Sequence, residues 1–191
     1  RLHMARKEAG AVMIGANTAN IDDPSLRLKY FEGENPVRIV VDGRLSIRED
    51  LRLVRERIAR TIILTSQAAD REKVERLRSR GLEVYVIESS SPPKTDMDRA
   101  LNLLYSIGIR KILVEGGGEL IWSLAEKHLV DEIRVTYTGY IFGGRDSVSI
   151  AGGRGFETTS ESPLFKPVSV LLCRCGKEVH IVFKRVDAPQ I

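Results

Sequence analysis

Short runs of β-branched and apolar residues alternate with helical periods along most of this chain, and that alternation limits the fold more than any other feature. Ala11-Val12-Met13-Ile14, closed by Gly15, is one such run. Val37–Val41 is a second, opened by Pro36 and closed by Asp42-Gly43; Thr61–Thr65, Glu83–Ile87, Lys111–Val114 and Glu132–Tyr137 follow. Runs this apolar, bounded by turn residues, predict strands covered on both faces. Between them, Asp70–Arg80 places Val74, Leu77 and Arg78 near one helical face and stops at Gly81. Asp96–Ile107 offers Ala100, Leu101, Leu103 and Leu104 to a core and stops at Gly108, and Glu119–Lys127 is a third helical stretch. Strand–helix–strand repetition calls for parallel pairing through right-handed crossovers. The predicted class is therefore α/β, a mostly parallel sheet flanked by helices. Lys166–Cys173 and Glu178–Lys184 break the pattern: joined by a short turn with Gly176, they predict an antiparallel C-terminal hairpin. The Gly-, Ser- and Thr-rich stretch from Gly139 to Pro163 predicts a long loop. Ser89-Ser90-Ser91-Pro92-Pro93 is too short for an interdomain linker, so a single domain, 1–191, is expected.

Composition excludes several classes. With 42% apolar and 29% charged residues the chain is ordinary for a globular protein. No apolar run approaches the ~20 residues of a spanning helix, so no membrane partner is expected. The 30 Lys+Arg against 26 Asp+Glu leave a net charge of +4. The arginines cluster in Arg44–Arg60 and Arg71–Arg80, interleaved with Glu49, Asp50, Glu56, Glu72, Glu75 and Glu83. Mixed signs cancel the field that steers polyanions, so a solvated face of ion pairs is read there rather than a nucleic-acid surface. The only cysteines, Cys173 and Cys175, make no disulfide framework, and two thiols alone do not close a zinc site. No metal is expected, and the plain reading is a reduced, cytoplasmic protein.

Two segments carry chemistry. Val114-Glu115-Gly116-Gly117-Gly118-Glu119-Leu120 runs from a strand end into a helix. Three glycines remove every Cβ from that turn, so a phosphate can approach backbone N–H groups reinforced by a helix N-terminus. A tight strand–helix connection explains the same residues equally well. There is no Gly-Lys-Ser/Thr ending, and the glycines are neither spaced nor placed as in a dinucleotide fingerprint. The second segment, Ile14 to Leu26, also leaves a strand end. Thr18 and Asp22 are four apart and share a face if a helical turn forms; helix capping and an Asx turn before Pro24 are the plainer reading. Both loops follow strands of a parallel sheet, and so fall along the edge where such sheets bind ligands.

Gly15-Ala16-Asn17-Thr18, Asp22-Asp23-Pro24-Ser25-Leu26, Val40-Val41-Asp42, Val114-Glu115-Gly116-Gly117-Gly118 and Gly143-Gly144 together resemble the pyrimidine reductases of riboflavin biosynthesis, a family that includes the C-terminal domain of bacterial bifunctional deaminase-reductases. The resemblance spans nearly the whole chain. It implies a dihydrofolate-reductase-like fold, NADPH as hydride donor, a pyrimidine ribosyl phosphate as substrate and a homodimer. The implied reaction opens the ribose of a ribosylamino group to an imine, and hydride adds at C1′ to give the ribitylamino group. An iminium carbon is already electrophilic, so the protein chiefly aligns donor and acceptor and excludes water.

Carried over residue by residue, the resemblance implies that Thr18, Asp22, Gly116, Gly117, Gly118, Glu119 and Leu120 contact the cofactor, the glycines as a pyrophosphate cradle. It implies that Arg6, Leu26, Lys29 and Glu115 contact the substrate. A carboxylate at Glu115 suits the amino groups of a diaminopyrimidinone, though a strand-end acid paired with a basic neighbour is the plainer reading. The cations Arg6 and Lys29 suit a 5′-phosphate. Lys29 stands where many relatives carry Arg, and Gly43 where a Ser is common. The family's first strand, which lines the site, precedes Arg1. No His-x-Glu with Pro-Cys-x-x-Cys deaminase motif occurs, which fits a free-standing reductase better than a bifunctional enzyme, and a piece of a bifunctional enzyme would read the same. His3, His128 and His180 match no family motif and are read as structural; no general acid is assigned. The same-fold alternative is a paralogue that reduces another pterin or pyrimidine.

Overall fold

A computed structural model describes residues 1–141, 143–144, 147 and 149–186. They fall into two compact units, Arg1–Leu120 and the residues from Ile121 on.

The first unit is a parallel sheet with its helices. Helix α1 (Leu2–Ala9) ends at Gly10 in the left-handed conformation (φ 72°) and delivers the chain into β1 (Ala11–Gly15). Helix α2 (Ala16–Asp22) follows directly. Then come β2 (Val37–Val41), the single turn α3 (Arg52–Arg55), β3 (Thr61–Ser66), α4 (Arg71–Ser79), β4 (Glu83–Ile87), α5 (Met97–Ser106), β5 (Leu113–Gly116) and the start of α6 (Gly118–Ala125). The strand order is β4-β3-β2-β1-β5, with all neighbours parallel. The chain thus steps outward from β1 to β4 and then returns to the other side of β1. That reversal makes the carboxyl ends of β1 and β5 the topological switch point, where the following segments diverge and leave a crevice.

The central strands are dry. Every residue of β3 is buried, as are Val12, Met13, Ile14, Ile39 and Val40. This is why these runs read as continuous rather than alternating. Helix α4 is capped by Asp70, which accepts from the Glu72 N–H (3.1 Å), and it buries Val74 and Leu77. Arg78, the third residue predicted for that face, instead lies at the surface and donates to the Val84 carbonyl. Helix α5 is capped by Asp96 and buries Met97, Ala100 and Leu104. The interleaved charges pair: Arg76 and Arg80 with Glu49, Arg60 with Glu83, Arg52 with Glu56 and Arg78 with Glu75. The hydrogen bond from Arg76 holds the Glu49 carboxyl below the usual range, and that from Arg60 does the same for Glu83.

The second unit contains β6 (Glu132–Thr138), β7 (Phe165–Leu172) and β8 (Glu178–Arg185), an antiparallel sheet in the order β6-β8-β7. The β7–β8 hairpin is as predicted. The sixth run is not a two-face-covered strand of the parallel sheet: β6 pairs antiparallel with β8. Its residues show why, because Ile133, Val135 and Tyr137 alternate with Glu132, Arg134 and Thr136, a period of two. Pro167 is tolerated in β7 because that strand is an edge and its register slips there. Between β6 and β7 the described residues form neither helix nor strand. Part of that loop is nonetheless packed: Phe156 lies against Trp122 (ring centroids 4.8 Å), and a Cβ on Gly153 would fall 2.2 Å from the Trp122 ring.

One glycine in the first unit is fixed by space alone. A Cβ on Gly43 would sit 1.7 Å from the Pro93 carbonyl oxygen, and its own carbonyl accepts from the Ser66 hydroxyl (2.7 Å). The Ser-for-Gly exchange common in the resembled family is therefore closed to this chain. Gly43→Ser is expected to lower stability by about 1–3 kcal/mol through overpacking, measured as a shift of the urea midpoint. No change would mean that the 91–95 loop yields freely.

Candidate functional site

The switch point gathers the predicted residues. Gly15 leaves β1 in extended conformation and caps α2 without any side-chain bond. The capping roles open to Thr18 and Asp22 fall to their neighbours instead. Asp23, at φ 40°, accepts from the Arg52 N–H (2.7 Å), and Asn20 accepts from the Arg48 N–H (2.9 Å). The Thr18 hydroxyl and the exposed Asp22 carboxylate have no hydrogen-bond partner among the described residues, so local structure does not account for either.

Next to this loop, β5 ends in the glycine turn. Met13 pairs with Val114 but Ile14 pairs with Gly116, so Glu115 is the extra residue of a β-bulge. A bulge re-aims a side chain, and this one sends Glu115 to α1. Arg6 meets it in a two-pronged ion pair, Nε to Oε1 at 2.6 Å and Nη2 to Oε2 at 2.7 Å, with both side chains about nine-tenths buried (10% and 13% exposed). Arg6 Nη1 donates to the Arg27 carbonyl (2.9 Å). The guanidinium thus joins α1, the bulge and the loop after α2. Two residues expected to touch substrate separately are one unit, and the partner that the plainer reading gave Glu115 is Arg6.

Gly116 (φ 126°) and Gly117 (φ 37°) both occupy backbone that side chains rarely adopt. A Cβ on Gly116 would meet nothing within 4 Å, so the turn is open on that side. A Cβ on Gly117 would lie 3.0 Å from Thr18 Oγ1, so the two loops touch. The N–H groups of Gly117 and Gly118 find no acceptor among the described residues. Leu120 differs from expectation: its N–H is taken by the Gly117 carbonyl (3.0 Å), and its side chain is buried with its Cβ 3.8 Å from the Cβ position of Gly15. It builds the turn rather than lining it. Glu119 is exposed.

Leu26 also differs. At φ 51° its side chain turns into the core and is 2% exposed, so only its backbone can face a ligand. Lys29 is exposed, with its N–H on His3 Nδ1 (3.3 Å) and its ammonium unpaired among the described residues. Arg27, on the same loop and equally exposed and unpaired, was not singled out from sequence. His3 stacks edge-on against Tyr30 (5.0 Å), and His180 bonds Thr136 (2.8 Å). Cavities of about 250 and 390 Å³ lie at the opposite, amino-terminal edge of the sheet, around Arg38 and around Gly10 and Lys111. No candidate residue lines them. Among the described residues, no helix is long and apolar enough to cross a membrane.

The family model for the RibD C-terminal domain matches residues 1–180. The chain is 35% identical over 156 residues to the 2,5-diamino-6-ribosylamino-4(3H)-pyrimidinone 5′-phosphate reductase of Aquifex aeolicus, covering 82% of this chain and 68% of that one. The enzyme of the same name from Methanothermobacter thermautotrophicus is 36% identical over 165 residues, covering 85% and 74%. Among solved structures, a deaminase/5-amino-6-(5-phosphoribosylamino)uracil reductase of Thermotoga maritima superposes with a TM-score of 0.71 at 26% identity, over 97% of this chain. The chain spans about half the length of that protein (48%). A pyrimidine reductase-like protein of Corynebacterium diphtheriae shares the fold, with a TM-score of 0.76 at 18% identity, covering 98% of this chain and 80% of that one.

The Arg6–Glu115 pair gives a direct test of this geometry. Arg6→Met strands a largely buried carboxylate and is expected to lower the unfolding free energy by about 3–5 kcal/mol, read from urea midpoints at unchanged slope. A loss below about 1 kcal/mol would mark the pair as an ordinary surface bridge.

Proposed function

This chain belongs to the RibD C-terminal domain family, and from that membership we propose that it is a reductase of riboflavin biosynthesis that converts the ribosylamino side chain of a pyrimidine 5′-phosphate to ribitylamino, with NADPH as reductant. The observation that carries the proposal is the bare Gly116–Gly118 turn at the switch point, touching the Thr18 loop, with two backbone N–H groups unclaimed by the fold. That turn fits a diphosphate, which needs close backbone approach and N–H donors. Thr18 and Asp22 are the side chains left to bond the ribose hydroxyls or carboxamide of the dinucleotide. When bound, the dinucleotide supplies the hydride. Everything else asked of the chain is alignment and dryness.

Glu115 is assigned to the pyrimidine. A carboxylate has about four acceptor positions, and Arg6 occupies one on each oxygen, so two remain for the ring's amino groups. Arg6 engages three of its five N–H groups with Glu115 and the Arg27 carbonyl, and is assigned here as the residue that positions Glu115. The exposed cations Lys29 and Arg27 take the phosphate role. The homodimer is proposed here too, supported by the exposed apolar residues Val168, Val170, Leu171 and Leu172 on edge strand β7.

The test is NADPH oxidation followed by absorbance, with the 2-amino and the deaminated pyrimidine phosphates as substrates. Gly117→Val is expected to weaken NADPH at least tenfold, because the branched Cβ meets Thr18 at a strained φ; unchanged affinity by titration would remove the cradle. Glu115→Gln should raise KM for the pyrimidine and leave NADPH affinity intact, and equal losses in both would end its assignment. Lys29→Ala should raise KM for the phosphorylated substrate alone. Light scattering on the intact chain checks the dimer.

A further inference from the structure

We propose that the β7–β8 hairpin is a metal site of Zn²⁺ type, with Cys173, Cys175 and Glu178 as ligands and His180 as the fourth. The pattern is Cys-x-Cys-x-x-Glu-x-His; the hairpin brings the first three together and sets His180 beside Glu178. The Cys173 N–H donates to the Glu178 carbonyl (2.9 Å), so these two face each other at the last rung of the hairpin. His180 is two residues further along β8, opposite Leu171 and Thr136, and therefore on the same face as Glu178. Gly176 (φ 71°) closes the turn with its N–H on the Cys173 carbonyl (2.9 Å). That turn folds Cys175 back, so that its N–H meets Cys173 Sγ at 3.3 Å.

As a result, the two sulfurs and a Glu178 carboxylate oxygen all lie within 4.8 Å of one another. Tetrahedral Zn²⁺, with bonds of about 2.3 Å to sulfur and about 2.0–2.2 Å to oxygen or nitrogen, draws such atoms into its shell by small side-chain rotations. The amide bond to Cys173 Sγ is the kind of outer contact that favours thiolate ligation.

An independent observation comes from His180. It is nine-tenths buried (9% exposed), yet its Nε2 makes no hydrogen bond among the described residues and lies 3.4 Å from Glu178 Oε2. Its Nδ1 is held by Thr136 Oγ1 at 2.8 Å. In the tautomer whose Nδ1–H donates to that hydroxyl, the one a metal would select, the Nε2 lone pair is left on the Glu178 side of the ring. An outer hydrogen bond of this kind fixes ring and tautomer in metal-bound imidazoles. Two thiolates with an imidazole select Zn²⁺ over the hard cations Mg²⁺ and Ca²⁺. The ion would pin the hairpin turn and give the buried, unpartnered nitrogen a ligand.

The experiment uses the full chain, reduced and stripped of metal by a chelator, with both thiols verified free. Co²⁺ is added as a spectroscopic probe and then displaced by Zn²⁺. The proposal expects one equivalent of Co²⁺ to give a thiolate-to-metal charge-transfer band and the intense visible bands of a tetrahedral ion. Zn²⁺ should displace it and raise Tm. The double variant Cys173→Ser/Cys175→Ser, at an exposed turn and checked for native circular dichroism, should lose both signals. Thr136→Val should weaken binding by about 10–100-fold, and His180→Ala should change the visible bands. Absence of the charge-transfer band, or equal Co²⁺ affinity in the double serine variant, overturns the proposal.

Discussion

Everything at the switch point is referenced to one buried ion pair. Arg6 and Glu115 lie 109 positions apart in sequence, on a helix before the sheet and on its last parallel strand. Desolvating two charges costs several kcal/mol each, and only good geometry offsets that. The geometry here is good because both oxygens are met by separate N–H groups and the third arm of the guanidinium ends on the Arg27 carbonyl. The pair fixes the end of β5, from which the glycine turn departs, and the loop that carries Arg27 and Lys29. The glycine turn and the loop after α2 are thereby held by one shared contact.

Much of this was legible in the residues. The central strands β1 to β3 could be read because parallel strands covered on both faces carry few polar residues to dilute the signal. The caps of α4 and α5 were equally plain. The glycine turn stood out because three missing Cβ atoms have few structural uses. What stayed hidden depends on pairing. The bulge at Glu115 is a register event and leaves no mark in composition, so the fifth strand was placed two residues early. Leu26 looks like a ligand-facing residue until its left-handed φ turns the side chain inward. Nothing near Arg6 in the sequence shows that its partner is Glu115, 109 positions away. Helices α1 and α3 are short and draw their order from tertiary contacts rather than from a strong apolar period.

The β6 strand and the C-terminal hairpin teach a related lesson. Glu132–Tyr137 reads among the continuous runs in sequence, but its two-residue period is that of a sheet with one face in water. Likewise the four potential ligands in Cys173–His180 are unremarkable as a string. Three of them, Cys173, Cys175 and Glu178, become a cluster only when the hairpin sets residue 173 against residue 178, and His180 then stands beside Glu178. Counting thiols, as the sequence invites, stops at two.

The proposed reaction, hydride addition to an iminium carbon, needs distance and angle more than acid strength, and the contents of the switch point suit that demand. His3 is engaged with the Lys29 N–H and Tyr30, so the one histidine of the first unit serves the loop. Glu115 is held on both oxygens, which makes it a fixed acceptor with two free directions rather than a mobile proton carrier. The glycine turn offers N–H donors fixed by the backbone, which need no side-chain ordering on binding. Rotamer-rich side chains cost about 0.5–1.5 kcal/mol each to immobilise at a binding surface, and under the proposed assignment that cost falls mainly on Arg27 and Lys29. The rest of the proposed site rests on backbone and on an already ordered ion pair, which leaves the two exposed cations for the end of the substrate where tolerance in position does least harm.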